Sequence, residues 1–193
     1  MNNTYALNNA LLSKITRIAV AAATLAVSIV LAAAPVFAAP APKAVSASIT
    51  VVSTASAELQ MFQLLNQDRT AQAQAAEAGP NAQPLQWDPK LAAVARARAQ
   101  ELANGAAFQH VSAGGSQPWD RLNKAGVQWV AMGENLAMDQ SIAKAEAAFM
   151  NEAKFQENHR GNIVNRTFTS VGIGIAVGQD GTLYITEEFV QAQ

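Results

Sequence analysis

The sequence contains no cysteine, which excludes a disulfide scaffold, a cysteine nucleophile and a lipid-modified cysteine anchor. The domain must therefore hold together by its core. Aromatic residues make up only 6% of the chain, and there are just two histidines, His110 and His159. No basic stripe with interleaved aromatics runs along it, and the net charge is −1, so nucleic acid is not expected as a partner. A Gly-x-Ser-x-Gly elbow and a His-Glu-x-x-His helix are both missing, which removes two common hydrolytic designs. After residue 34 no apolar run is long enough to span a bilayer.

What is present begins with an export signature. Residues 1–17 are polar, carry Lys14 and Arg17, and hold no acid. Ile18 to Ala34 is an apolar run of about 17 residues, at the short limit for a membrane span and rich in alanine. Pro35 ends it, and Val36-Phe37-Ala38 offers small residues at the positions a signal peptidase reads. These features predict a secretory signal over residues 1–38, a cut after Ala38 and a soluble extracellular or cell-envelope protein. Residues 39–55, rich in alanine and proline, read as a flexible linker, with a short strand at Ile49–Val52 as an alternative within it. Residues 56–193 form one domain of ordinary size, expected to be monomeric.

Within that domain the hydrophobic period changes from helical to alternating. Leu59, Phe62 and Leu65 mark an amphipathic helix, with Ser56 as its candidate N-cap and Gly79-Pro80 as its stop. Asp88-Pro89 opens a second helix that places Leu91, Ala95, Ala99 and Leu102 along one side and ends at Asn104-Gly105. A short helix is expected over Pro118–Lys124, and a longer one from Ser141 to about Glu152. The stretch around Gly133-Glu134-Asn135 reads as a break. Val171, Ile173, Ile175 and Val177 alternate with small residues, which predicts a strand approached closely on its other face. Gln179-Asp180-Gly181 turns it back into a partner strand over Leu183–Val190. Helices followed by an antiparallel hairpin indicate an α+β domain. Trp119 and Trp129 read as core or loop anchors.

His110 and His159 both lie in polar, loop-like contexts, where a lone histidine is more often plain surface. Glu134 and Glu152 stand at element boundaries. Taken singly, none of the four would mark a site. The ordered set Asn66-x-x-Arg69, Leu85-x-Trp87-Asp88, His110-x-Ser112, Gly133-Glu134-Asn135, Asn151-Glu152, His159-Arg160-x-Asn162, Val171-Gly172-Ile173-Gly174 and Tyr184-x-Thr186-x-x-Phe189 resembles the bacterial, SCP-like branch of the CAP superfamily. The resemblance extends from about Glu58 to Val190.

The resemblance implies a three-layer α-β-α sandwich with a small antiparallel sheet. It also implies a cleft lined by His110, Glu134, Glu152 and His159, with Glu157 as the alternative fourth member. Such a set suits a divalent metal such as zinc held by His110 and His159, with the glutamates binding directly or orienting the rings. It equally suits His–Glu acid–base work, or a purely structural brace. Asn135 and Asn162 are expected to satisfy backbone groups near the cleft, Asn66 and Arg69 to tie the first helix to the core, and Ser112 to fix His110 or line the cleft. Phe149 stands where many relatives have Trp. Glu187 and Glu188 imply an acidic, cation-favouring cleft rim. The expected function is that of a secreted module binding a divalent metal, a small ligand or a cell-surface component. The alternatives are a metal-assisted hydrolase acting on peptide or wall material, and a lipid- or sterol-binding module.

Overall fold

The computed structural model describes residues 53–74 and 82–192. Signal-peptide and linker features before residue 53, the Ile49–Val52 strand and the Gly79-Pro80 stop lie outside them. The elements run α1 (Thr54–Gln74), β1 (Gln86–Trp87), α2 (Pro89–Ala103), α3 (Pro118–Lys124), β2 (Ala131–Asp139), α4 (Ile142–Met150), α5 (His159–Val164), β3 (Ser170–Val177) and β4 (Leu183–Gln191). Helix α1 begins three residues earlier than expected, because Ser53, not Ser56, supplies the capping oxygen: Ser56 N–H donates to Ser53 Oγ at 3.2 Å. Asp88 caps α2 as its sequence predicts, accepting from the N–H groups of Lys90 at 2.7 Å and Leu91 at 3.1 Å.

The strands form one sheet in the order β1-β3-β4-β2. β3 and β2 both pair antiparallel with β4. β1 lies parallel to β3, so the sheet is mixed rather than wholly antiparallel. Two residues are too few to show a strand period in sequence. Backbone bonds hold them, from Gln86 N–H to Thr169 O and from Asp88 N–H to Val171 O, both at 2.9 Å.

Alternation along β3 then builds two cores. Val171, Ile173 and Ile175 join Met61 and Leu65 of α1, Ala145 and Phe149 of α4, and Ile163 of α5 on one face. Gly172 and Gly174 face α2 on the other. A Cβ on Gly172 would lie 2.1 Å from Ala92 N, and one on Gly174 2.1 Å from Arg96 N, so only glycine lets the helix backbone sit this close. A smaller core of Leu91, Val94, Leu122, Val127 and Val190 fills the α2–α3 side. Helices thus cover both faces of the sheet, giving the α-β-α layering. Burying an Ile or Leu fully, as at Ile173, Leu91 and Leu122, contributes about 1.5–3 kcal/mol each.

The largest departure from the sequence reading is β2. Gly133-Glu134-Asn135-Leu136-Ala137 is the middle of a nine-residue edge strand, not a break. Gly133 is there for clearance: a Cβ would come within 2.7 Å of Asn162 Oδ1.

Candidate ligand-binding cleft

Strand β2 carries the site, because its alternation sends successive residues to opposite faces of the sheet. Glu134 points to the α2–α3 side and pairs with His110, whose Nδ1 lies 2.8 Å from Glu134 Oε1. On the other side Asn135 donates to the carbonyl of His159 at 3.2 Å and to Glu187 Oε2 at 2.9 Å. Asn162 of α5 completes the link by donating to Asn135 Oδ1 at 2.8 Å. His159 opens helix α5 rather than sitting in a loop. Its Nδ1 lies 2.6 Å from Glu152 Oε1, and its backbone N–H donates to Glu152 Oε2 at 2.9 Å. Glu152 therefore orients the ring and also satisfies an amide at the start of the helix. Phe149 packs against the same imidazole, with ring centroids 4.8 Å apart.

His110, Glu134, Glu152, Glu157, Asn158, His159 and Asn162 line one cleft of about 390 Å³ that wraps around the edge strand. The carboxylate on His159 belongs to Glu152; Glu157 lines the cleft without bonding to either ring. Ser112 does not hold His110. Its hydroxyl donates to Glu101 Oε2 at 2.8 Å and accepts from Arg121 at 3.3 Å, so it ties down the loop instead.

Two arginines that sequence reasoning did not single out position the His110 loop. Buried Arg98 donates to the carbonyls of Gln109 and Val111 and pairs with Glu101 at 2.7 Å. Arg121 donates to the carbonyls of His110 at 3.0 Å and Ser116 at 3.2 Å, and its Nη2 pairs with Glu134 Oε2. A signal for Arg98 was present: it falls seven residues after Leu91, on the apolar stripe of α2, where an unpartnered charge would be costly. Arg69 is a third buried brace. It donates to the carbonyls of Gln83 at 2.7 Å, Ile163 at 2.9 Å, Asn165 at 2.8 Å and Phe168 at 3.1 Å, while Asn66 exchanges bonds with Leu85.

Glu187 and Glu188 do not make an acidic rim. Both are fully buried, because a central strand covered on two faces leaves neither side chain a path to water. Burial pushes the Glu187 carboxyl up to about 8. Glu188 is raised well above the usual range, first by burial and then by the neighbouring Glu134 charge. Behind Glu187, Glu146 of α4 is raised to about 10 by burial and by the neighbouring charges of Glu187 and Asp68.

As a donor set the cleft fits a divalent cation in a limited way. Each imidazole has Nδ1 engaged by a carboxylate and Nε2 left for a ligand, the usual outer-shell arrangement of a metal-binding histidine. Among the described residues, however, no three His, Asp or Glu groups converge closely enough to hold a metal ion. A second, more apolar cleft of about 280 Å³, lined by Leu59, Phe62 and Trp87 above the Glu58–Arg96 pair, is separate from this site. No helix among the described residues is long and apolar enough to cross a membrane.

An α-β-α sandwich with paired histidines and glutamates at its edge strand defines a CAP-type domain. The chain belongs to the cysteine-rich secretory protein (CAP) family, whose model matches residues 62–190. It is 30% identical over 139 residues to the uncharacterized protein YkwD of Bacillus subtilis (strain 168), covering 72% of this chain and 48% of that protein. An extracellular SCP-domain protein from Bacillus anthracis str. Ames superposes with a TM-score of 0.58 at 27% identity, over 72% of this chain and 41% of that one. The chain thus spans about half or less of the length of these two relatives. An outer surface protein from Borrelia burgdorferi shares the fold at a TM-score of 0.62 and 18% identity, over 74% and 97% of the two chains. So does NaASP2, whose structure was determined with Zn2+, at a TM-score of 0.52 and 17% identity, over 71% and 80%.

Proposed function

We propose that this is an exported CAP-domain binding protein, with residues 1–38 as its secretory signal, residues 39–55 as its linker, and a cleft that takes a divalent cation or small polar ligand between His110 and His159. The observation that carries this reading is the pair of His–Glu units in one cleft, each carboxylate engaging Nδ1 and leaving Nε2. A cation held by two imidazoles would complete its shell with water or with the ligand itself, and would supply Lewis acidity there. With only two protein ligands, affinity is modest and the ion is exchangeable. Extracellular placement agrees with relatives described as extracellular and outer surface proteins.

The hydrolase alternative is weaker. Both oxygens of Glu134 are already engaged, by His110 and Arg121, which suits a brace better than a free general base.

Zinc titration of the purified domain by calorimetry tests the proposal. One ion should bind to the wild type, and the single variants His110→Ala and His159→Ala should each weaken it by about tenfold or more. Unchanged binding in the double variant would remove the cleft from the account.

A further inference from the structure

Strand β2 ends the sheet order, so only β4 pairs with it. The carbonyl of Val190 accepts from Thr169 N–H beside β3, and that of Gln191 accepts from Val130 N–H beside β2. Even-numbered residues of β4 therefore bond towards β3 and odd-numbered ones towards β2. Opposite the odd-numbered ones stand Ala131, Gly133, Asn135, Ala137 and Asp139. The residues between them, Met132, Glu134, Leu136 and Met138, turn N–H and C=O away from the sheet. Asn162 agrees with this direction, since it donates to the Glu134 carbonyl at 3.4 Å from outside the sheet. Among the described residues, the outward N–H groups of Met132, Glu134, Leu136 and Met138 have no partner.

This edge opens into the cleft. Asn162, which reaches the outward Glu134 carbonyl, lines the cleft together with Glu134 itself. The Glu134 side chain is only 2% exposed while the whole residue is 7% exposed, so water meets mainly its main chain. His110 approaches Glu134 from one face of the sheet, and His159 is tied to Asn135 on the other. The open stretch has closed ends. Val130 N–H is taken by Gln191, and Asp139 Oδ1 accepts from the amides of Gln140 at 2.6 Å and Ser141 at 2.9 Å. β2 holds no proline or lysine, residues that commonly keep a second chain off an exposed edge.

We propose that the ligand of the cleft is an extended peptide segment, added to the sheet as a further strand along the outer edge of β2. This rests on the reading of the cleft as a ligand site and names the class of ligand. Unpaired donors and acceptors that recur about every 7 Å match another peptide backbone, whose own groups recur at the same spacing. Successive side chains of the added strand point to opposite faces, one towards His110 and the next towards His159 and Glu157. Charge selects among peptides. Glu134 is paired with Arg121 and Glu152 with His159, whereas Glu157 has no ion-pair partner among the described residues. A basic side chain on the His159 side is favoured there, and an acidic one is repelled.

The test is a titration of the purified protein with a blocked heptapeptide of alternating threonine and lysine, read by calorimetry and by amide exchange. Zinc binding is measured on the same samples. The peptide should bind and slow exchange of the Met132, Glu134, Leu136 and Met138 amides by about tenfold or more. The amides of Gly133 and Asn135, already in the ladder, should change little. Strand addition uses one edge of the peptide, and N-methylating every lysine or every threonine blocks opposite edges. One methylated peptide should therefore bind about tenfold or more weakly, while the other binds as before. A threonine–glutamate heptapeptide should bind about fivefold more weakly than the lysine peptide, and Glu157→Gln should narrow that difference. Absence of peptide binding by a protein that still binds zinc overturns strand addition and leaves the cleft reading intact. Loss of both ends both. Equal effects of the two methylations, or binding without slowed exchange at the outward amides, also overturn the proposal. So does a concentration-dependent dimer that protects the same amides, since a second copy then occupies the edge.

Discussion

Glu187 and Glu188 are neighbours in sequence and both fully buried, yet they enter different electrostatic settings because a strand turns them to opposite faces. Glu188 lies against Glu134 on the α2–α3 side, where Arg121 and Arg98 partly offset the cost of charge. Glu187 faces α4 and α1, accepts from Asn135, and meets further acid in Glu146 and Asp68. The histidines follow the same division. His110 is held by a loop that two arginines clamp, whereas His159 is held by Glu152, a helix N-terminus and the Phe149 ring. One half of the cleft is thus organised by buried ion pairs and the other by packing around buried carboxyls. The halves should therefore fail differently.

The largest effect should come from the clamped half. Arg121→Ala leaves Glu134 and Glu188 without their nearest cation and frees the carbonyls of His110 and Ser116, so urea denaturation should show a loss of about 3 kcal/mol. Amide exchange should quicken around His110 while the α4–α5 half stays protected. Comparable loosening of His159 would break the distinction.

Next is the pH response of the other half. Glu187 and Glu146 titrate near 8 and 10 when folded, against 4.5 as the ordinary value, so between those limits the folded chain binds more protons than the unfolded one. Stability from these groups is complete below 4.5 and falls as pH rises through that window. Glu187→Gln should flatten the decline and raise stability at pH 8 by on the order of 1 kcal/mol, measured as a denaturant midpoint against pH.

The two carboxylates near the second histidine, only one of which bonds to it, give a smaller contrast. Glu152→Gln should weaken zinc by about tenfold, while Glu157→Gln should change it less than about twofold. Phe149→Leu should be milder still in the cleft, costing about 1 kcal/mol of stability and modestly weakening zinc through a looser His159 ring.

Much of the fold was legible because its signals are local. Asp88-Pro89, Asn104-Gly105 and Pro118–Lys124 act within a few residues, and the spacing of Val171, Ile173 and Ile175 against Gly172 and Gly174 announces one packed face and one closely approached face. Strand β2 was misread for the same reason. Its glycine, glutamate and asparagine look like a turn, but each answers to a partner far along the chain: Gly133 to Asn162, Glu134 to Arg121, and Asn135 to Glu187. The two-residue β1 had no period to detect.

The sequence alone determined which chemistry the protein can carry, since two histidines and no cysteine leave few choices, and it determined the run of helices before the hairpin. Only the tertiary structure decided that Glu152 rather than Glu157 sits on His159, and that Glu187 and Glu188 are interior rather than rim. The physical reason is range. Helix caps, turns and periodicity are set by neighbours a few residues apart, whereas burial, counter-charge and the pairing of carboxylate with imidazole depend on which distant segments the sheet brings together.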